Sequence, residues 1–161
     1  MPTPRRRQLL GIILAGFFPT VVSAVSSAAD RDPTHSVNAP RRVVEDFTAA
    51  WNAHRIDSLV QLFTPNGSLA TPGGGVARSR SAIRELLADQ HEHVFRQSSL
   101  STRIEGVHRQ GAHRAIIPGA FTLDGIPAIL GVEVSRQGSF RFELTRRDGE
   151  WLISSARIQP A

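Results

Sequence analysis

The apolar residues of this chain change their spacing once, and that change limits the fold. From Arg41 to Phe95 they recur at helical intervals, whereas from Leu100 to Ile158 they alternate with polar residues, as in strands with one buried face. Helices first and pleated strands afterwards define an α+β domain, in which three N-terminal helices pack on an antiparallel sheet.

In the helical half, Val43, Val44, Phe47, Ala50 and Trp51 form one narrow stripe, with Arg42, Glu45, Asp46 and Asn52 on the other side. Pro40 suits a first turn, where its missing amide proton is not needed. The polar break Asn52-Ala53-His54-Arg55 ends this helix. A shorter one then starts at Ile56 or Asp57 and turns Leu59, Val60, Leu62 and Phe63 to the core. Thr64-Pro65-Asn66-Gly67 has the composition of a turn, and a short strand, Ser68 to Thr71, follows it. The run TPGGGVARS from Thr71 to Ser79 reads as a plain loop. It lacks the Gly-Lys-Ser/Thr ending that a phosphate-cradling loop requires. The third helix runs from about Ser81 to Phe95, with Ile83, Leu86, Leu87, Gln90, His91, Val94 and Phe95 on or beside one face.

In the second half, Leu100, Thr102, Ile104 and Gly106 share one strand face. Ala115, Ile117, Gly119, Phe121 and Leu123 share a face of the next strand, where Pro118 marks an edge or a bulge. Residues 124 to 138 hold Gly125, Pro127, Gly131 and Gly138 and read as a long loop, with a short strand at Leu130 to Val134. Phe140, Phe142 and Leu144 belong to a half-buried strand that Asp148-Gly149 turns into a partner from Trp151 to Ile158.

With 161 residues, 40% of them apolar, the chain suits one domain and an appendage. The appendage is residues 1–29: Arg5-Arg6-Arg7, the apolar run from Leu9 to Val22, then small residues up to Ala29. This order is that of an export signal. Pro19 interrupts a run of about fourteen residues, short of the roughly twenty that a membrane span needs. Cleavage is expected before Asp30, with Ala24 as the rival, and delivers a periplasmic or secreted protein that leaves no membrane segment behind. Arg6-Arg7-Gln8-Leu9-Leu10 also resembles a twin-arginine signal, so the route stays open. Residues 30–40 are expected to be a polar tail, leaving 41–161 as the domain. Cysteine is absent, so the exported domain relies on its apolar core. The formal charge of +5 is carried entirely by arginine, and without residues 1–29 the balance is 16 Arg against 14 Asp and Glu. Scattered arginines with little excess charge make a poor nucleic-acid surface.

Several strings, in order, carry a likeness. Ala50-Trp51-Asn52-Ala53, Leu62-Phe63, Arg80-Ser81-Ala82-Ile83 and Arg146-Arg147-Asp148-Gly149-Glu150-Trp151 resemble the nuclear transport factor 2-like superfamily, and within it the SnoaL-like proteins often labelled SgcJ/EcaC. Their typical strings are AAWNAGD, a second helix ending in LF, a G-R-x-x-I helix start and an R-R-D-G-x-W hairpin. The likeness spans about residues 41 to 158. It implies a strongly curved antiparallel sheet wrapped around helices as an open cone, and pairing as a homodimer through the outer sheet face.

The resemblance also directs attention to chemistry. Ketosteroid isomerases and polyketide cyclases of this superfamily move protons next to a carbonyl, which needs a base and an oxyanion donor. The isomerase base falls here on Thr71, its tyrosine on Phe47, and its second acid near Arg141 or Phe142, so that machinery is missing. His91 is the candidate proton-transfer residue, in a place where relatives often carry a histidine; the alternative is a structural histidine. Arg157 lies six residues after Trp151, where many relatives point a histidine into the cavity. It would grip a carboxylate or phosphate, or else pair with Glu105 or Glu143. The expected pocket walls are Trp51, Leu69, Phe95, Ile104, Phe121 and Phe142, with Thr71, His91 and Arg157 as orienting groups. No metal is expected: His91 and His93 are two apart on a helix and diverge by about 200°, and His108 with His113 lacks a third ligand. No cofactor is implied. The expectation is a small-molecule pocket, with an isomerase-, cyclase- or hydrolase-like reaction left open, for an acidic or carbonyl-bearing compound; the alternative is a dimeric scaffold module with a filled cone.

Overall fold

The computed structural model describes residues 33–127 and 132–161. The export-signal reading of residues 1–29 lies outside the described residues. Among the described residues three helices and seven strands follow in order: α1 Pro33–Asn52, α2 Ile56–Gln61, β1 Phe63–Ala70, β2 Val76–Arg78, α3 Arg80–Glu92, β3 Ser99–Ile104, β4 His108–Arg109, β5 Arg114–Pro127, β6 Glu133–Arg147 and β7 Glu150–Pro160. The strands form one curved open sheet in the order β2-β1-β7-β6-β5-β3, with β4 paired to β5.

The stripe Val43, Val44, Phe47, Ala50 and Trp51 is buried and lays α1 against the sheet. Helix α1 extends further back than the expected Pro40 start, so Pro40 lies inside it, fully buried. The tail expected over 30–40 is therefore helical from Pro33. At its other end, Arg55 N–H donates to Ala50 C=O at 3.0 Å and His54 N–H to Trp51 C=O at 2.9 Å. These are the two bonds of a Schellman ending, with His54 in the left-handed position at φ 51°. The polar break is thus a helix cap that frees α2 to start at once. Arg80, at the head of α3, donates to the carbonyls of Phe63 and Gln61 at 2.8 and 3.2 Å and ties α3 to the end of α2.

Three expectations need correction. Thr64-Pro65-Asn66-Gly67 is an irregularity within β1: Phe63 pairs with Ile153 and Ser68 with Ser155, so the segment bulges out while the strand resumes. The sheet is also not wholly antiparallel, since β1 and β7 pair in parallel. Lastly, the loop expected over 124–138 is mostly strand. β5 runs on to Pro127 and β6 begins at Glu133, because the backbone pairing of these two strands with each other outweighs the weak strand propensity of glycine.

Glycine serves close approach here. A Cβ on Gly138 would lie 2.1 Å from the Gln159 carbonyl oxygen and 2.7 Å from the Phe121 ring, and one on Gly119 would lie 2.2 Å from the Phe140 ring. These two gaps let phenylalanine rings lie flat across the inner face of the sheet. The Asp148-Gly149 turn has φ of 50° and 90°, positive at both positions as a tight hairpin of this hand requires. Gly138→Ala should cost about 2 kcal/mol or more of stability through overpacking against rigid backbone. Gly73→Ala, with open space around its Cβ, should stay within about 0.5 kcal/mol. Urea denaturation of both variants is the check.

Candidate functional site

Helix α1 covers the concave face of the sheet only in part, and α3 closes one flank. Between them is a cavity of about 410 Å³. Phe47 and Trp51 of α1 face it from one side; Leu69, Thr71, Pro72 and Gly73 from β1 and its turn form another wall. Leu87 and Gln90 come from one face of α3, and Val94 and Phe95 follow in the turn just beyond it. The sheet contributes Leu100 and Thr102, Phe121 and Leu123, Arg136, Phe140 and Phe142, and Ile158 with Pro160. The aromatic side is continuous: Phe47 meets Phe142 at 5.1 Å between ring centres and Trp51 at 6.2 Å, and Phe140 meets Phe142 at 4.9 Å.

Six of the expected pocket residues come together here: Trp51, Leu69, Thr71, Phe95, Phe121 and Phe142. Ile104 does not line the cavity. It continues the inward face of β3 past Leu100 and Thr102 and packs half-buried against the core.

Arg157 is a correction. It is exposed, while Ala156 on one side is buried and Ile158 on the other lines the cavity. The cause is a bulge. Leu144 pairs with Ile153 but Glu143 pairs with Ser155, so Ser154 is an extra residue in β7. Strict alternation from Trp151 would aim Arg157 inward, and one inserted residue moves it to the outer face. The ion pairs considered for it go to other arginines: Glu105 to Arg103 at 3.3 Å and Glu143 to Arg141 at 3.4 Å.

His91 is the second correction. One position round the helix from Gln90, it faces the end of α1 and lines no part of the cavity. Its ring sits edge-on to Trp51, 4.4 Å between ring centres, and its Nδ1 lies 3.0 Å from Nδ1 of His54. Its Nε2 is buried without a hydrogen-bond partner. Desolvation, with a smaller contribution from the His54 charge, lowers its pKa from 6.5 to about 4. A neutral imidazole walled off by Trp51 is a support behind the cavity wall, and it reaches no substrate there. The left-handed backbone at His54, where the resembling string has glycine, aims that ring at His91.

Further polar ties hold the α1 side of the cavity. Trp51 Nε1 donates to Ser98 Oγ at 3.2 Å. Asn52, which the sequence pattern puts on the polar side of α1, binds Leu100 through both backbone groups at 2.9 and 2.7 Å, so its amide acts as a strand neighbour for β3. Thr48 and Thr102 share a hydroxyl bond at 2.9 Å.

Among the described residues, the cavity lining contains no Asp, Glu, His or Tyr, and its polar groups are Thr71, Gln90, Thr102, Arg136 and Gln137. Thr71-Pro72 and Phe47, where the isomerase comparison would seat the base and the tyrosine, face the cavity without a titrating group, as does Phe142, one of the two places for the second acid; Arg141, the other, lines no part of it. Arg136 and Gln137 were hidden from sequence reading by the glycines around them, which read as loop. The signal that could have found Arg136 is the alternation back from Phe142 through Phe140 and Gly138; Gln137 is out of phase with it. Among the described residues no group of three or more His, Cys, Asp or Glu converges to hold a metal. No described helix is long and apolar enough to cross a membrane.

The SnoaL-like domain profile matches residues 34–157. The chain belongs to this family, a branch of the nuclear transport factor 2-like superfamily. Solved structures with the same fold include a putative scytalone dehydratase from Novosphingobium aromaticivorans, at TM-score 0.71 and 15% identity, covering 80% of this chain and 86% of that one. A ketosteroid isomerase-like protein from Erwinia carotovora atroseptica has TM-score 0.68 and 19% identity, covering 78% and 95%. An uncharacterised protein with a cystatin-like fold from Caulobacter vibrioides has TM-score 0.70 and 16% identity, covering 79% and 90%. At such identities the likeness is one of fold. A search of the curated proteins finds no match.

The low pKa of His91 has a consequence for stability. The unfolded chain binds a proton at His91 below pH 6.5 while the folded chain binds it only near pH 4, so acid favours unfolding within that window. The contribution is full above pH 6.5, declines as the pH falls toward 4 and is constant below. Thermal unfolding across this range should show the wild type losing more melting temperature than His91→Phe, which keeps the packing and removes the titration. Equal slopes for the two proteins would refute the assignment.

Proposed function

We propose that this protein binds a small, largely apolar organic molecule in the cavity between α1, α3 and the cone-like inner face of the sheet. The observation that carries the reading is the cavity itself: about 410 Å³, walled mostly by aromatic and aliphatic side chains, with a few polar groups. That is the size and composition of pockets that enclose small ligands, in which apolar walls supply affinity and sparse polar groups fix orientation. The alternative of a scaffold module with a filled cone is disfavoured by the same empty volume. Kinship in fold with dehydratase-like and isomerase-like proteins keeps an enzymatic reaction within the proposal. The absence of a carboxylate or imidazole from the described lining makes proton transfer by the isomerase route the less favoured version.

Export and pairing as a homodimer are part of the same proposal, the first resting on the charged, apolar and small-residue order of residues 1–29. N-terminal sequencing of the mature protein should find Asp30 first. Retention of Met1 would refute export.

The pocket reading is tested by thermal shift with flat aromatic compounds. A compound present at about a hundred times its Kd should add roughly 2.7 kcal/mol to stability and raise the melting temperature by several degrees. Thr71→Trp, which puts a large side chain on a half-buried residue of the lining, should abolish that rise, with the unliganded melting temperature measured alongside to show that the variant folds. A rise that survives Thr71→Trp would place binding elsewhere.

A further inference from the structure

Among the described residues the cavity lining carries one charge, that of Arg136, and it is in an unusual position. On β6 the pairing is Ile117 with Phe142, Gly119 with Phe140, Phe121 with Gly138 and Leu123 with Arg136. Residues two apart on a strand share a face, so Arg136 points the same way as Phe140 and Phe142, into the concave side. Its cross-strand partner Leu123 is buried and lines the cavity with it. Arg136 itself is exposed, which puts its charge at the rim.

An arginine in such a place is expected to have a carboxylate partner, and here the carboxylates near it are engaged otherwise or lie elsewhere. Asp124, the residue after Leu123, takes a hydrogen bond from the Ser135 hydroxyl, both being one step out of phase with the inward face. Among the described residues the ion pairs join Arg84 to Asp57, His93 to Asp89, Arg103 to Glu105 and Arg141 to Glu143, and none involves Arg136. Its guanidinium therefore presents its donors to solvent at the opening of an apolar chamber.

Resting on the reading of this cavity as a ligand site, we propose that Arg136 is its anion anchor and that the ligand is a flat, mainly apolar molecule bearing one carboxylate. The rings enter among Phe47, Phe140 and Phe142, and the carboxylate stops at the rim, where the guanidinium fork meets both oxygens. Apolar burial supplies affinity without regard to charge, so the arginine decides between an acid and its uncharged analogue. Partial exclusion of water at the rim strengthens that choice relative to an ion pair on an open surface. The anion-gripping role expected of Arg157 on the last strand thus falls to Arg136 on its neighbour.

Naphthalene-2-carboxylate and naphthalene-2-carboxamide, nearly equal in size and shape, form the test pair, titrated calorimetrically against wild type, Arg136→Gln and Arg147→Gln. The wild type should bind the carboxylate at least about tenfold more tightly than the amide. Arg136→Gln should erase the preference and leave amide affinity within about twofold. Arg147→Gln, which removes an equal charge far along the same strand, should keep the preference. Equal binding of acid and amide by the wild type, or a preference that persists in Arg136→Gln, overturns the anchor while leaving the pocket intact. Failure of both compounds to bind the wild type at millimolar concentration overturns the pocket reading and the anchor with it. The melting temperature of Arg136→Gln, expected close to wild type for an exposed residue, separates lost recognition from lost fold.

Discussion

Phe47 is the point at which helix and sheet meet, and the rest of the fold is arranged around that contact. Its ring touches Trp51 one turn along α1, Phe63 at the start of β1, and Phe142 in the middle of β6. An aromatic side chain that reaches three elements fixes their relative placement through dispersion and burial. A single helix is nevertheless too narrow to cover the concave face of a curved sheet. The uncovered part, flanked by α3, is the cavity. Its existence follows from geometry: a curved sheet offers more inner surface than one helical stripe can fill.

The polar bonds around this contact keep the α1 side of the chamber in place. Asn52 supplies the backbone pairing that β3 would otherwise lack on that side, and Trp51 is held through its indole N–H to Ser98 and by the His91 ring behind it. Buried polar groups that are satisfied hold one geometry, because any displacement leaves them without partners. The unpartnered Nε2 of His91, behind the wall, is the exception, and burial of that ring is what makes acid unfavourable to the folded state there. With titrating acids absent from the described lining, the chamber is chemically quiet except at Arg136.

The fold class was legible in the sequence because it depends on periodicity, and the helical stripe of α1, the third helix and the Asp148-Gly149 hairpin each show theirs over a long enough run. The family was legible for a similar reason, as the order of several short strings. Trp51, Leu69, Thr71, Phe95, Phe121 and Phe142 were traceable to the pocket because each lies on the inward side of a regular element or at its end. Arg157, His91 and Arg136 were misplaced or missed for distinct reasons. The Ser154 bulge inverts the alternation before Arg157, and its presence depends on how β6 and β7 pair. One step of about 100° along α3 separates Gln90, which lines the cavity, from His91, which does not. The glycines around Arg136 hide a strand that forms by pairing with β5.

By itself, then, the sequence determined the succession of a helical and a strand-forming half and which faces of their regular elements are apolar, since both follow from local preference and from the period of hydrophobic residues. Tertiary structure alone decided which inward faces enclose empty space and which charge stands at its rim. Those properties depend on the register between paired strands, where one inserted residue reverses every side chain that follows, and no local pattern encodes that pairing.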